Sequence, residues 1–493
     1  LDLILQSKIF NLKSKIKANF MRRTKIVCTL GPASADEKTI RGMIRAGMDV
    51  VRLNFSHGAQ PEHERNIKLV RRIAREENKP VAILMDLQGP RVRVGEFIGG
   101  GATLKKGQNF VLTSRNIKGT SEIASVTYPA LPKDVKAGDA IYLNDGLIRL
   151  SVKRVAGPNI FTTVVEGGDI SDHKGINLPA TTLSTPSVTR KDMDDLKFGI
   201  RAGVDYVGLS FVRSPSDVNL IRRAIRRAGG RTPVIAKIEK FEALSCLDDI
   251  IEAADGVMVA RGDLGVETPL EDVPGHQKRI IALCARRMKP VITATQMLES
   301  MIAHLRPTRA EVSDVANAIL DGTDAVMLSA ETSVGKYPVQ VVHTMAKIAL
   351  ETEKMVTDSD MAWLVKPCHT YRSISLSESV AQAASFLAGR VGAQVIIAFT
   401  ESGFTARLIS KFRPGRNVLA VTPHENVRRI MSLYWGVLPV RGERMTTVDD
   451  MIIHSVEQAK KMGFLKKGDR AVITAGVPLA TSGTTNLIKV HIV

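Results

Sequence analysis

Between residues 24 and 345, short apolar runs recur along the chain and each ends in polar or charged residues. Eight stand out: Lys25–Leu30, Asp49–Phe55, Val81–Asp86, Asp205–Phe211, Val234–Ile238, Gly256–Ala260, Val291–Thr295 and Ala325–Leu328. They are near-continuous in Val, Ile, Leu, Met and Ala, as strands buried on both faces are; half-exposed strands alternate. The stretches between them carry helical spacing, as in Thr39-Ile40-x-x-Met43-Ile44-x-x-Gly47 and Ile67-x-x-Val70-x-x-Ile73. Eight β/α units in succession predict a closed parallel (β/α)8 TIM barrel over residues 21–87 and 188–356, with its first strand opening at Met21.

Residues 88–187 break the rhythm. They are rich in Gly, Thr and Val, with turn signals at Ile98-Gly99-Gly100-Gly101, Lys106-Gly107, Asn144-Asp145-Gly146 and Gly167-Gly168. Ile148-x-Leu150-x-Val152 alternates with period two. These features predict a small inserted β-barrel domain. An insertion that follows a barrel strand lies on the catalytic face, where it serves as a lid. From 357 to 493 the pattern changes again. Ser377–Gly389 reads as a helix capped by Ser377, and Val395–Phe399, Val418–Val421 and Ala471–Thr474 read as strands of an open α/β sheet. Residues 1–20 hold four lysines against one acid, Asp2, with no Gly or Pro. A targeting peptide is one reading; a disordered or upstream extension is the expected one.

Composition narrows the class. Hydrophobic residues at 44% and charged residues at 24% suit a globular protein. No apolar run is long enough to span a membrane, so no membrane partner is expected. Cys28, Cys246, Cys284 and Cys368 are far apart and form no Cys-x-x-Cys pair. That argues against a disulfide framework or thiolate zinc site and fits a cytoplasmic location. The net charge of +19 raises the question of nucleic acid, but aromatics are only 4%, too few for stacking platforms. Arg222-Arg223-x-x-Arg226-Arg227 has the spacing of a solvated helix face. The positive charge is instead expected to attract small anions.

In a barrel of this kind the chemistry gathers at the C-terminal strand ends. In order these read Arg52-Leu53-Asn54-Phe55-Ser56-His57, Asp86, Ser210-Phe211-x-Arg213, Lys237-Ile238-Glu239, Arg261-Gly262-Asp263, Thr293-Ala294-Thr295-Gln296 and Ser329-Ala330-Glu331. Glu239 and Asp263 end neighbouring strands and supply two hard oxygen ligands, which suit Mg2+ better than zinc. The plainer alternative is that each acid pairs with a nearby Arg or Lys. Lys237 shares a strand face with Glu239, and a cation beside a metal steadies a transferring phosphoryl group. Arg52 and Arg93 are candidates to grip anionic oxygens, or else surface ion-pair partners. In the last domain, Thr400-Glu401-Ser402-Gly403-Phe404-Thr405 follows a strand and opens a helix, a setting that favours phosphate. The hydroxyl-rich run Thr481-Ser482-Gly483-Thr484-Thr485-Asn486 lies in the same domain.

Lys25–Pro32 (KIVCTLGP), Arg52–Gly58 (RLNFSHG), Lys237–Glu239, Ala260–Glu267 (ARGDLGVE), Ala294–Met301 (ATQMLESM), Arg306–Glu311 (RPTRAE) and Asp324–Pro338 (DAVMLSAETSVGKYP) resemble the pyruvate kinases. The resemblance runs in order over residues 22–493. It implies transfer of the phosphoryl group of phosphoenolpyruvate to ADP, giving pyruvate and ATP, in a homotetramer. It implies Arg52 and Lys237 on the phosphoryl group, and Glu239 and Asp263 on Mg2+, for which Mn2+ can substitute. Gly262 and Thr295 would bind the substrate carboxylate, with Thr295 also in the proton relay to the enolate. Asn54, Ser56, His57, Arg93 and Lys174 would line the nucleotide side, and Asp145 would approach on lid closure.

Two segments depart from common family patterns. Asn54, Ser56 and Asp86 match the K+ ligands of K+-requiring relatives. Those relatives carry Thr-Lys after the aspartate, then Glu and later Thr; this chain has Leu87-Gln88-Gly89-Pro90-Arg91 and Val94. That resembles the K+-independent branch, with Arg91 supplying the charge. In the effector loop, fructose-1,6-bisphosphate-activated relatives can carry a lysine where this chain has Glu401, which would repel a second phosphate. Thr400, Ser402, Gly403 and Thr405 then suit a monophosphate effector, AMP or a sugar monophosphate. Two rival readings stay open: a Mg2+-dependent barrel lyase or aldolase, and a non-catalytic phosphometabolite sensor.

Overall fold

The computed structural model describes residues 21–179, 181, 184–355, 375–478 and 483–493. The expected extension over 1–20, Cys368, and Thr481 and Ser482 of the hydroxyl-rich run lie outside the described residues. Strands β1 (Lys25–Thr29), β2 (Val50–Asn54) and β3 (Ala82–Asp86) come first. Strands β4 to β11 follow: Gly101–Leu104, Asn109–Thr113, Ile123–Ser125, Ala140–Leu143, Ile148–Ala156, Asn159–Glu166, Gly168–Ser171 and Ile176–Asn177. The chain then forms β12 (Tyr206–Leu209), β13 (Val234–Ile238), β14 (Gly256–Ala260), β15 (Val291–Ala294) and β16 (Ala325–Leu328).

β1–β3 and β12–β16 close into a parallel barrel, each strand beside its sequence neighbour and β16 beside β1. All eight apolar runs supply a strand, and both faces of each are buried for the expected reason. Val27, Val50, Leu84, Ile235, Met258 and Ile292 point into the barrel, whereas Ile26, Cys28, Val51, Ile83, Ala236 and Val257 pack under the helices. The first strand opens at Lys25, not at Met21. The Arg23 and Thr24 N–H groups donate to the Glu353 carboxylate at 2.8 and 2.6 Å, so the chain joins the sheet only where Lys25 N–H meets the Asp324 carbonyl.

The residues between β3 and β12 form a six-stranded sheet, β11-β7-β8-β9-β5-β6, and a pair, β10-β4. They enclose their own core around Val94, Phe110, Leu112, Ile141, Leu150 and Ile160. This inserted region touches the barrel mouth. Asn177 donates to Glu267 at 3.2 Å, and the Gly146 turn faces Val266.

The C-terminal sheet runs β19-β18-β17-β20-β21, from β17 (Val395–Phe399), β18 (Asn417–Thr422), β19 (Val437–Arg441), β20 (Arg470–Ala475) and β21 (Leu487–Ile492). Four strands are parallel; β21 is an antiparallel edge. The two outer strands are the ones the apolar pattern did not single out. Their side chains are largely half-buried or exposed, and β19 carries Pro439. The helix over Leu376–Arg390 is capped by Ser375, whose hydroxyl accepts from Glu378 N–H at 3.2 Å. Ser377 is not the cap: its hydroxyl is turned to the Thr485 N–H, at 3.1 Å. Among the described residues no helix is long and apolar enough to cross a membrane.

Candidate active site

Parallel register brings the strand ends together at one mouth. Arg52 pairs with Thr29 and Leu84 across its ladders, and Asn54 with Asp86. Asp86 is 1% exposed and central. Arg52 Nε donates to Asp86 Oδ2 at 2.7 Å, and Arg52 also reaches the Thr29 hydroxyl at 3.0 Å. Lys237 Nζ lies 3.2 Å from Asp86 Oδ1, 2.8 Å from Glu239 Oε1 and 2.8 Å from Ser210 Oγ. Burial opposes the charge on Lys237, but Asp86 and Glu239 outweigh it and hold its pKa above the ordinary lysine value. Burial would also raise Asp86, yet Lys237 and Arg52 overcome it and hold the carboxyl below its usual range. This is a chain of alternating charge, Arg52–Asp86–Lys237–Glu239, across the strand ends.

Glu239 is the acid this arrangement leaves least satisfied. Its Oε2 accepts from Phe211 N–H at 2.6 Å, but buried Oε1 faces Lys237 without accepting an aligned hydrogen bond. Burial, with Asp263 close by, raises its pKa against the pull of Lys237. Two neighbouring carboxylates, one with a buried oxygen whose only partner is the Lys237 ion pair, fit a divalent cation. Among the described residues no group of three or more His, Cys, Asp or Glu could hold a metal. Two protein carboxylates with the rest from substrate and water is the ligand economy of Mg2+ rather than Ca2+ or zinc.

Thr295 sits where β15 turns away, with φ of +67°, and Gln296 follows at +53°. A β-branched residue in the left-handed region is strained by on the order of 1 kcal/mol or more. Arg261 over-determines the turn: it donates to the Ala294 and Thr295 carbonyls at 3.2 and 2.7 Å and is held by Asp314 through two 2.7 Å contacts. The Thr295 hydroxyl accepts from Gly262 N–H at 2.7 Å, so these two expected substrate groups meet each other directly.

The expected nucleotide residues line the rim. Asn54 Oδ1 accepts from Ser56 N–H at 3.1 Å. His57 is exposed; partial burial and then Arg91, Arg93 and Arg52 lower its pKa, so three guanidinium groups converge near it. Arg93 bridges to Gly175, beside Lys174, at the neck of the insert. Asp145 is exposed in the turn before β8, φ +55°. Arg91 is exposed, its guanidinium 5.9 Å from the centre of the Phe211 ring. Leu87 is buried.

Sequence reasoning gave Ser210 and Arg261 no role although both stood at strand ends. The only signal was position, since neither residue type by itself indicates whether it touches a ligand or a neighbouring side chain. In the last domain, Thr400 Oγ1 accepts from Gly403 N–H at 2.8 Å and Thr405 shares a 2.8 Å hydrogen bond with Thr485. Ser402 is exposed, and Glu401 lies 2.6 Å from His424 Nε2.

Comparison with known proteins gives a consistent set of likenesses. The family described as "Pyruvate kinase, barrel domain" matches residues 21–342, and "Pyruvate kinase, alpha/beta domain" matches 378–491. The chain is 46% identical over 476 residues to a pyruvate kinase of Sporosarcina psychrophila, covering 96% of this chain and 81% of the relative. It is 46% identical to a pyruvate kinase of Corynebacterium glutamicum, covering 96% of this chain and 98% of the relative. The crystal structure of a pyruvate kinase from Cryptosporidium parvum superimposes with a TM-score of 0.90 at 36% identity, covering 96% of each chain.

Proposed function

The chain belongs to the pyruvate kinase family, and from that premise we propose how its own residues carry the reaction. It transfers the phosphoryl group of phosphoenolpyruvate to ADP, giving pyruvate and ATP, in glycolysis. The observation that carries the residue account is Lys237, a buried ammonium between two carboxylates at the mouth of the barrel. Arg52 and Lys237 take the phosphoryl oxygens. Both are already held in place by Asp86, so little reorganisation accompanies the transfer. Glu239 and Asp263 hold Mg2+, with Mn2+ as a substitute. When bound, the divalent cation neutralises charge on the transferring group.

The Gly262 N–H and the Thr295 hydroxyl exchange their mutual hydrogen bond for the substrate carboxylate. Thr295 then lies within reach of a water that protonates the enolate carbon. Asn54, Ser56, His57, Arg93 and Lys174 receive ADP, and the insert, carrying Asp145, closes to keep water from acting as acceptor. We assign a homotetramer and a cytoplasmic location on the family resemblance.

Activity is independent of K+ in this reading. The reading rests on the run Leu87-Gln88-Gly89-Pro90-Arg91 with Val94, which stands where K+-requiring relatives carry Thr-Lys, Glu and Thr. Arg91 stands close enough to His57 to depress its pKa and supplies the missing positive charge. Arg91 also differs from lysine in being planar and longer, so the substitution has its own geometry. The test is pyruvate formation from phosphoenolpyruvate, ADP and Mg2+ with and without K+, in sodium-free buffer balanced with tetramethylammonium. Equal activity is expected; activity only with K+ removes Arg91 from its role, and no activity at all returns the lyase and sensor readings.

The C-terminal loop receives a monophosphate, AMP or a sugar monophosphate. The hydroxyls of Thr400 and Thr405 are already engaged, leaving Ser402 and the backbone by Gly403, while the Glu401 carboxylate opposes a second phosphate. Titrating AMP, glucose 6-phosphate and fructose 1,6-bisphosphate at subsaturating phosphoenolpyruvate tests this. A preference for the bisphosphate contradicts it.

A further inference from the structure

The turn after β12 touches three things at once. Ser210 is 3% exposed. Its hydroxyl donates to the Leu87 carbonyl at 2.7 Å and accepts from Lys237 Nζ at 2.8 Å. A hydroxyl has one proton; with that proton committed to Leu87, a lone pair is left facing the ammonium. The Lys237 ammonium is ion-paired with Asp86 at 3.2 Å and Glu239 at 2.8 Å, and Ser210 takes an aligned hydrogen bond from it. Ser210 thereby fixes the direction of one N–H of the ammonium. The next residue, Phe211, adopts φ +54° and turns its N–H onto Glu239 Oε2 at 2.6 Å.

The same two residues press on the strand leaving the barrel for the insert. Leu87 N–H donates to the Gly208 carbonyl at 3.0 Å, just before the turn. Gly89 has φ +68°, and a Cβ there would lie 2.8 Å from Phe211 Cδ2 and 3.2 Å from Ser210 Cβ. The Arg91 guanidinium stands over the Phe211 ring. Leu87, Gly89 and Arg91 form the outgoing hinge of the insert.

We infer that Ser210–Phe211 is a positioning element that holds Lys237 and Glu239 in register with this hinge, so that the insert's position sets the direction of the ammonium. Neither residue is assigned contact with substrate; each acts through a group that has it. The inference rests on the reading of Lys237 as the phosphoryl-contacting cation.

Ser210→Ala leaves Lys237 charged, buried and paired with Asp86 and Glu239, but removes the one hydrogen bond that aligns its ammonium. Misplacement of a catalytic group by about an ångström costs on the order of 100-fold in rate. The expected result is a kcat roughly 10- to 100-fold lower, with KM for both substrates within about threefold of wild type. Calorimetric binding of phosphoenolpyruvate and Mg2+ without ADP should likewise stay near wild type. Ser210→Thr keeps the hydroxyl and should recover most of the lost kcat. Gly89→Ala crowds the same turn from the hinge side. Because the two changes break one link, the double variant should lose less than the product of the single losses.

A Ser210→Ala enzyme with wild-type kcat, a folded threonine variant with no recovery, or multiplicative losses in the double variant each overturn the inference. If the alanine variant does not fold, Ser210→Cys replaces it: a partial loss of kcat is expected, and wild-type kcat overturns the role. Lys237→Met in the same assay separates this inference from its premise. A fully active Lys237→Met enzyme removes the premise and the inference together. An inactive one beside an unaffected Ser210→Ala removes only the role of the turn.

Discussion

At the scale of single residues, the partners a buried charge finds decide its titration. Asp49 shows it most clearly. Its carboxylate accepts from Arg22 at 2.8 Å and from Ile26 N–H at 2.9 Å, with Lys79 at 3.5 Å. Burial alone would raise its pKa, but Arg22, Lys79 and Lys25 outweigh burial and bring it down to about 2. A carboxyl whose folded pKa lies below the unfolded value of about 3.9 contributes stability that is complete above that value. The contribution is lost as pH falls through the folded pKa. Asp49 should therefore account for about 2.5 kcal/mol that disappears between roughly pH 5 and pH 1. Urea unfolding of wild type and Asp49→Asn across that range checks it; parallel acid limbs would show that Asp49 contributes nothing to the pH dependence.

At the scale of elements, the motif Arg306–Glu311 turns out to be a helix start. Thr308 Oγ1 accepts from Glu311 N–H at 3.2 Å, and the Glu311 carboxylate returns to Thr308 N–H at 2.8 Å, a capping box for the helix Arg309–Leu320. Glu311 also accepts from the Ser300 N–H at 2.7 Å. It thereby ties the cap to the 3-10 turn Glu299–Ile302, shortly after Thr295 in the chain. Thr308→Ala should lower stability by about 1 kcal/mol, read as a shift in thermal midpoint. Glu311→Ala should do more, since it also releases Ser300; an effect no larger than that of Thr308→Ala would mean that the Ser300 contact carries no weight.

At the scale of the whole molecule, the C-terminal sheet is locked to the floor of the barrel through buried polar contacts. Lys411 and Asp324 meet at 2.7 Å with both side chains 1% exposed, and Arg413 joins Asp324 at 3.0 Å. Lys25 Nζ donates to the Val437 carbonyl at 2.7 Å, and Tyr206 Oη to the Ile430 carbonyl at 2.7 Å. Lys411 ends the helix Phe404–Lys411 and Asp324 immediately precedes β16, so the contact joins the C-terminal domain to the barrel floor. Asp324→Ala strands two buried cations and should cost about 3–5 kcal/mol in urea unfolding. Adding Lys411→Met should restore part of that loss, because one of the stranded charges goes with it; no restoration would mean that Lys411 and Asp324 are not coupled.

What the chain determined by itself is periodic or local. Eight doubly buried strands announce themselves because each must be apolar on both faces, and Gly-rich turns mark the insert because few other residues adopt those dihedrals. Lys237, Glu239, Asp263, Arg52 and Thr295 were legible as strand ends because a barrel delivers all such ends to one mouth. The outer strands β19 and β21 and the Ser375 cap were not legible, since edges and caps depend on which neighbour accepts each hydrogen bond. Only the tertiary structure decided that Ser210, two barrel strands on from Arg52, stands between Lys237 and the hinge of the insert. A serine's chemistry is the same in every sequence; its role here comes from the two partners that folding places 2.7 and 2.8 Å from its oxygen.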